Sequence, residues 1–370
     1  MTVRSPKRRV LGLMSGTSMD GLDMCLADVY LDRNYSFEYK IIKNRYEEFD
    51  KKTIEFIKKT ISDRCFLNDL NNHISIKYLE IINKHYFNDN IDLISMHGQT
   101  IHHIDKVISI QAGDPKILYN RFKVPIIYNF RHADIKHGGS GAPLMPFLDW
   151  LLFKDYNQDI VTLNIGGISN ISYIPRNSNL EGVIGFDTGP GMSLIDEFVN
   201  LKWKIKFDIN GSLALKGKIN TDLLTMVLNH PYINRRPPKS TGREDFGLVM
   251  IKSLIKLFPE INKLDFLRTL VRVTAESIIL NLKHINGICF KDSILITSGG
   301  GINNKLLIED INEICDFNKI VTSKKIGINP DMKEALLMSV LGLGRYMNLN
   351  TNVPNATGAS KYISCGDIYG

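Results

Sequence analysis

Two segments of this chain share one form. Val10-Leu-Gly-Leu-Met-Ser-Gly-Thr-Ser-Met-Asp-Gly-Leu-Asp-Met-Cys-Leu-Ala-Asp-Val29 reads as a strand, a turn of small and polar residues, and a second strand. Ile160-Val-Thr-Leu-Asn-Ile-Gly-Gly-Ile-Ser-Asn-Ile-Ser-Tyr-Ile174 reads the same way. The two lie about 150 residues apart, close to one domain length. A glycine-turn hairpin repeated at that interval implies two domains on a common plan. The length of 370 residues agrees, and a single small module is excluded.

Each half then supplies a buried strand that ends in a polar loop, Ile91 to Gln99 in the first and Ser293 to Gly301 in the second. In open α/β folds, ligands bind at the carboxyl ends of such strands. Apolar residues recur at helical spacing over Leu67 to Tyr86, Leu264 to Ile285, Ser193 to Trp203 and Lys333 to Met347. The pattern predicts two α/β domains, each a mixed sheet flanked by helices, facing each other across a cleft, with the carboxy-terminal helix packing back onto the first. The expected bounds are 1–132 plus 336–370 for the first domain and 133–335 for the second.

Composition removes other classes. Hydrophobic residues at 44% and charged residues at 23% are the balance of a globular chain. No apolar run approaches the roughly 18 residues of a membrane span. The short apolar run after Arg9 does not read as an export signal. Cys25, Cys65, Cys289, Cys315 and Cys365 are odd in number and scattered, as in a cytoplasmic protein with reduced thiols. The net charge of +7 is spread along the chain without a nucleic-acid motif, so it permits but does not demand nucleic-acid binding, and an anionic small substrate explains it equally well; no nucleic-acid or membrane partner is expected.

The sequence has no G-x-x-x-x-G-K-[ST] and no G-x-G-x-x-G after a strand. Asp245-Phe246-Gly247 spells a kinase triplet without the catalytic loop that would accompany it. What remains is Ser15-Gly-Thr-Ser-Met-Asp-Gly21 and Asn164-Ile-Gly-Gly-Ile-Ser-Asn170. Glycines there let backbone N–H groups approach phosphate oxygens, and hydroxyls add donors, so a nucleoside triphosphate held between two such hairpins is sensible. Gly299, Gly300 and Gly301, followed by Asn303 and Asn304, suit a flat ring such as adenine; a strand-to-helix joint needing positive φ is the plainer reading.

Asp187, in Gly185-Phe-Asp-Thr-Gly-Pro-Gly191, ends an apolar strand before a turn that opens a helix. A carboxylate fixed there accepts a proton or holds a water, or else caps the turn. The pairs of His97 with His102 or His103, and of His132 with His137, lack a metal-site context and read as structural or substrate-contacting.

Taken in order, Met14-Ser-Gly-Thr-Ser-Met-Asp-Gly-Leu-Asp23, Met96-His-Gly-Gln-Thr-Ile-His102, Gln111 to Pro115, Phe130-Arg131, Gly138 to Leu144, Leu163 to Asn170, Phe186 to Gly191, Pro238-Lys-Ser-Thr-Gly-Arg-Glu244 and Gly299 to Gly301 resemble the anhydro-N-acetylmuramic acid kinases over essentially the whole chain. These are members of the sugar kinase, Hsp70 and actin superfamily. The resemblance implies a two-domain actin-like ATPase (ribonuclease H-like) fold with duplicated mixed sheets around an interdomain cleft. It also implies conversion of 1,6-anhydro-N-acetylmuramic acid, water and ATP to N-acetylmuramic acid 6-phosphate in peptidoglycan recycling, and a homodimer.

By the same carry-over, Gly16, Thr17, Ser18, Met19, Asp20, Gly21, Leu22 and Asp23 hold ATP phosphates, with Asp20 as a water-mediated Mg²⁺ partner. Asn164, Gly166, Gly167, Gly299, Gly300, Gly301 and Asn303 complete the nucleotide site, and Asp187 is the base. His97, Gln99, Thr100 and Glu334 fall to the sugar, and Arg131 or Arg243 to its lactyl carboxylate. The chain departs from the family in having Met192 after Gly-Pro-Gly, where Asn is common, and in His132-Ala133 after Arg131. Two rival readings are a kinase of the same fold acting on another sugar hydroxyl and a nucleotide-binding regulator without catalysis.

Overall fold

The computed structural model describes residues 7–16 and 18–370. In chain order its first elements are β1 (Arg8–Ser15), β2 (Gly21–Leu31), β3 (Phe37–Glu48), α1 (Lys51–Ser62), α2 (Leu67–Tyr86), β4 (Leu93–Ile104), β5 (Ile108–Ala112), α3 (Pro115–Phe122), β6 (Ile126–Tyr128), α4 (His132–Lys136) and α5 (Met145–Phe153). There follow β7 (Asp159–Ile165), β8 (Ile168–Ile174), β9 (Ile184–Pro190), α6 (Ser193–Trp203), α7 (Thr221–Leu228), α8 (Pro231–Asn234), α9 (Leu248–Leu257) and α10 (Lys263–Leu282). The last are β10 (Ser293–Ser298), α11 (Lys305–Ile314), β11 (Lys319–Thr322), α12 (Lys333–Tyr346), α13 (Pro354–Thr357) and β12 (Asp367–Tyr369). Among the described residues no helix is long and apolar enough to cross a membrane.

The chain divides into two compact units, Met1–Leu152 with Asp331–Gly370, and Phe153–Pro330. The sequence reading puts the joints at 132/133 and 335/336. Side chains explain the difference. Buried Asp134 accepts from Gly141 N at 2.8 Å, Thr357 Oγ1 at 2.9 Å and Asn352 Nδ2 at 3.0 Å, and Lys333 forms a buried ion pair with Asp149. These ties hold residues on both sides of the expected joints to the first unit.

The first sheet runs β12-β6-β4-β1-β2-β3, with β5 added to β4, and the second runs β11-β10-β7-β8-β9. Both follow one rule. The first three strands are antiparallel in the order third, second, first, and two further strands, β4 then β6 in one sheet and β10 then β11 in the other, continue from the first in parallel; β5 and β12 are antiparallel additions to the first sheet. This duplicated order bears out the actin-like, ribonuclease H-like plan.

Strand β1 is buried on both faces, which is why it reads as a nearly continuous apolar run. Leu11 and Leu13 face the side packed by Leu70, Ile74 and Tyr78 of α2. Gly12 faces α12, and a Cβ there would lie 2.1 Å from Ala335 O, so only glycine allows so close an approach. Ser95 Oγ and Ser339 Oγ tie the same helix to the sheet through Met338 O and Cys25 O. The carboxy-terminal helix therefore does pack back onto the first unit, as expected. In the second unit α10 is the buried helix, with Phe266 stacked on Phe198 of α6 at 4.4 Å.

Candidate active site

In the first unit the turn after β1 is anchored from beneath. Gln99 Nε2 donates to Gly16 O at 2.9 Å, and Ser15 Oγ shares a hydrogen bond with the buried Tyr78 hydroxyl. Met19 takes φ 59°, and its N–H closes back to Gly16 O at 3.3 Å. Ser18 Oγ donates to Asp20 Oδ1 at 2.5 Å, and both residues are exposed. A Cβ on Gly16 would meet only Ser18 Oγ, at 3.8 Å, so the turn is open there. Gly21, in contrast, is packed on Glu47 O. Leu22 lies in the core, so only its backbone is available to a ligand; Asp23 is half-buried on β2, and Thr17 lies outside the described residues.

Strand β4 bulges beside this turn, and Gly98 at the bulge takes φ 81°. His97 is buried there. Its Nδ1–H donates to Gly98 O at 2.8 Å, which leaves Nε2 to accept from Arg131 Nε at 3.1 Å. Burial, reinforced by the Arg131 charge, pulls this imidazole down to about 3, so it is neutral. Both ring nitrogens are engaged.

Arg131 also donates from Nη1 to Gly141 O at 2.7 Å. Burial lowers its pKa to about 10, against the charges of Glu334 and Asp134, and it stays a cation at neutral pH. Glu334 opens α12 and keeps access to solvent. The protein around it raises its pKa, opposed by Arg131 and then Lys333. His97, Arg131 and Glu334 thus form one electrostatic group. Thr100 sits one residue past Gln99 on β4, half-buried and paired with Gln111, outside that group.

In the second unit the turn after β7 is two residues long. Gly166 O accepts from Met192 N at 2.8 Å, and Gly167 O accepts from Gly191 N at 2.9 Å and Ser193 N at 3.0 Å. Because a trans peptide sets N–H opposite C=O, pulling Gly166 O toward α6 points the Gly167 N–H away from it. Arg243, largely exposed, lies over this turn; a Cβ on Gly167 would sit 3.2 Å from its Nε. Its nearest carboxylate is Glu197, at 3.7 Å.

Beside the turn, Gly299 at φ 84° packs on Asn164 Oδ1 and Ile165 O, and Gly301 packs on the Ile165 side chain. A Cβ on Gly300 would meet nothing within 4 Å. One glycine of the three therefore faces open space, as a stacked ring requires. Asn303 is exposed; Asn304 instead caps α11 through Leu307 N at 3.2 Å.

Asp187 is not at the end of its strand. Strand β9 continues to Pro190, and a bulge at Thr188 follows the carboxylate directly. Its carboxylate accepts from Thr241 N at Oδ2, at 3.0 Å. Pairing places Asn164, Asn170 and Asp187 opposite one another across β7, β8 and β9. All three are half-exposed, whereas Leu163, Ile171 and Phe186 beside them are buried. The sequence reading has Asn170 as the last residue of the second glycine hairpin, and only strand pairing sets it beside Asp187. Tyr232 and Lys239 contact Asp187 from outside the sheet; the sequence reading has Lys239 only as part of the Pro238 to Glu244 motif, without a role, and does not single out Tyr232.

Among the described residues no group of three or more His, Cys, Asp or Glu is placed to hold a metal ion. A Mg²⁺ ion bound mainly through nucleotide oxygens and waters fits this donor set, since that ion keeps much of its hydration. The open Gly16 and Gly300 positions likewise fit a nucleotide.

The family model for anhydro-N-acetylmuramic acid kinase matches residues 8–370. A protein of that name from Clostridioides difficile is 36% identical over 373 residues, covering 97% of this chain and 97% of its own. One from Caldanaerobacter subterraneus is 34% identical, covering 98% and 97%, and one from Francisella tularensis is 34% identical, covering 97% of each. With the glycine turns, the half-exposed Asp187 and the His97–Arg131 pair all lying within the matched span, this chain belongs to the anhydro-N-acetylmuramic acid kinase family.

Proposed function

We propose that this protein couples hydrolytic opening of 1,6-anhydro-N-acetylmuramic acid to phosphorylation of its O6 by ATP, with Asp187 as the general base. The enzyme is a phosphotransferase of peptidoglycan recycling. Asp187 takes a proton from a water whose oxygen bonds to the anomeric carbon. The bond from that carbon to the bridging oxygen breaks, and the bridging oxygen, now O6, bonds to the γ-phosphorus as ADP leaves. The products are N-acetylmuramic acid 6-phosphate and ADP, and Asp187 returns its proton to solvent.

The observation that most supports this reading is the placement of Asp187. It is a half-exposed carboxylate in an otherwise buried stretch of strand, fixed by the Thr241 N–H and followed by a bulge. In this reading the turns at Gly16 to Asp23 and at Gly166–Gly167 supply N–H groups to the phosphates, and Gly299 to Gly301 with Asn303 and Asn164 receive the adenine side. Asp20 is the proposed water-mediated partner of Mg²⁺, which when bound neutralises charge on the β and γ oxygens. Arg131, held in orientation by His97, is the better placed cation for the lactyl carboxylate, since Arg243 already lies over the second turn. Gln99, Thr100 and Glu334 border the sugar in this reading. A cytoplasmic location and a homodimer belong to the same proposal.

The test is mass spectrometry of the product made in heavy-oxygen water. One heavy oxygen at the anomeric position with phosphate on O6 is expected. Phosphorylation of free N-acetylmuramic acid at an equal rate, without label incorporation coupled to turnover, would instead establish an ordinary sugar hydroxyl kinase.

A further inference from the structure

Within the segment Pro238 to Glu244, Lys239 is given no part in nucleotide or sugar binding, and it is a buried cation. Lys239 is 4% exposed, and among the described residues its ammonium forms no ion pair. It is satisfied otherwise. Nζ donates to Tyr232 O at 2.8 Å and Ile233 O at 3.1 Å, and it lies 4.6 Å from the centre of the Tyr232 ring. Three donors are thus met by three protein partners. Such a group does not reach substrate.

What the ammonium ties together is the surround of Asp187. Strand β9 is the edge of its sheet, so the Asp187 backbone would otherwise face outward unpaired. The Tyr232 hydroxyl donates to Asp187 O at 2.8 Å, and Asp187 N donates to Lys239 O at 3.4 Å. Two residues on, Thr241 N donates to the carboxylate at 3.0 Å. The main chain of Asp187 and one of its carboxylate oxygens are therefore gripped by two segments, 232–233 and 239–241. Lys239 Nζ is the pin that joins those segments.

We propose that Lys239 is the positioning residue of Asp187, fixing the carboxylate through the 239–241 backbone and the Tyr232 hydroxyl. This rests on the reading of Asp187 as the base. Burial, then Arg235, lowers the Lys239 pKa to about 8, while Asp187 opposes the shift. A burial this costly for a lone ammonium is consistent with a demand on geometry, because a general base displaced by even part of an ångström loses most of its effect.

The test is steady-state kinetics of Lys239→Met, Lys239→Arg and Tyr232→Phe with both substrates. Lys239→Met is expected to lower kcat about 100-fold while KM for ATP and for the sugar stay within about threefold, and Lys239→Arg to recover about tenfold of that loss. Tyr232→Phe, which removes one hydroxyl and keeps the carbonyl and ring that hold Lys239, is expected to lower kcat about fivefold with KM unchanged. The losses of Lys239→Met and Asp187→Asn should not multiply in the double variant, since one acts through the other. A loss confined to KM, multiplicative losses, or an unaltered Tyr232→Phe kcat overturns the proposal. A wild-type protein that makes no N-acetylmuramic acid 6-phosphate overturns the functional reading instead, so the two failures are distinct.

Discussion

The two units place a glycine turn at the same point of the same strand order, and they anchor it by different means. In the second unit the carbonyls of Gly166 and Gly167 are held by the N–H groups of Gly191, Met192 and Ser193, all of them backbone. In the first, the corresponding carbonyl of Gly16 accepts from Met19 N within the turn itself, and the tie from the turn to the rest of the fold is a side chain, Gln99. The third strands differ as well. The last paired rung of the first sheet reads Met14, Asp23, Tyr46, with Tyr46 exposed; the rung beside the second turn reads Asn164, Asn170, Asp187. At this rung the second unit has a carboxylate on its third strand where the first has a tyrosine; in the function proposed above both turns contact phosphate and that carboxylate is the base. An anchor made of backbone survives substitution of its residue, and an anchor made of a side chain does not.

The asymmetry of the third strands is the sharper of the two and gives the largest expected effect. Asp187→Asn keeps the shape and an acceptor for Thr241 N but removes the base, so kcat should fall by about 10³-fold, within the range for loss of a general base. Affinity for a non-hydrolysable ATP analogue, measured by calorimetry, should be unchanged. Tyr46→Phe at the related rung of the first unit should leave kcat unaltered; a comparable loss there would erase the distinction between the sheets.

The asymmetry of the anchors predicts a smaller effect. Gln99→Leu removes the donor to Gly16 O, and KM for ATP should rise about tenfold, the equivalent of one hydrogen bond, with little change in kcat. Stability should hold, because Gln99 Oε1 is already buried without a partner and leucine relieves it. Met192→Asn restores the residue common in the family, but Met192 acts on the second turn through its N–H, so kinetics within about twofold of the parent are expected. A tenfold change from Met192→Asn would mean that the second turn too depends on a side chain.

These contrasts also mark what could be read beforehand. The hairpins at Val10 to Val29 and Ile160 to Ile174, and the helices α2 and α6, follow from apolar periodicity and glycine placement, which are local properties. The joints between units were not legible at 133–152, because what assigns that stretch is Asp134 meeting Asn352 and Thr357 more than 200 residues later. Asp187 was legible as a carboxylate among glycines. Its true place inside β9 was not, since Thr-Gly-Pro reads as a turn and only pairing with β8 extends the strand through it. Arg131 was visible as a cation, but the buried His97 that orients it is joined to it only by the fold. Lys239 looked like one basic residue among Arg235, Arg236 and Arg243, and its burial is a tertiary fact.

The backbone anchor of the second turn has a cost that supplies the smallest prediction. A carboxylate in the first turn of a helix is normally stabilised by free N–H groups and the helix dipole. Asp196 occupies that place on α6, but the N–H groups of Gly191, Met192 and Ser193 are spent on the glycine carbonyls, and Asp196 Oδ1 is buried without a partner. Burial raises its pKa to about 6, opposed by Arg243 and helped by Glu197. For an acid whose folded value is raised, the sign is as follows. Below about pH 4 both states hold the proton and there is no penalty; between pH 4 and 6 the unfolded chain ionises first and stability falls; above 6 the penalty is complete. A shift of two units is about 3 kcal/mol at most, and with partial exposure on the order of 1 kcal/mol. Asp196→Asn should therefore melt a few degrees higher than the parent at pH 8 and no higher at pH 4, if the protein is still folded there. An equal gap at both pH values would mean that Asp196 finds a donor after all, and that the second turn does not monopolise the start of α6.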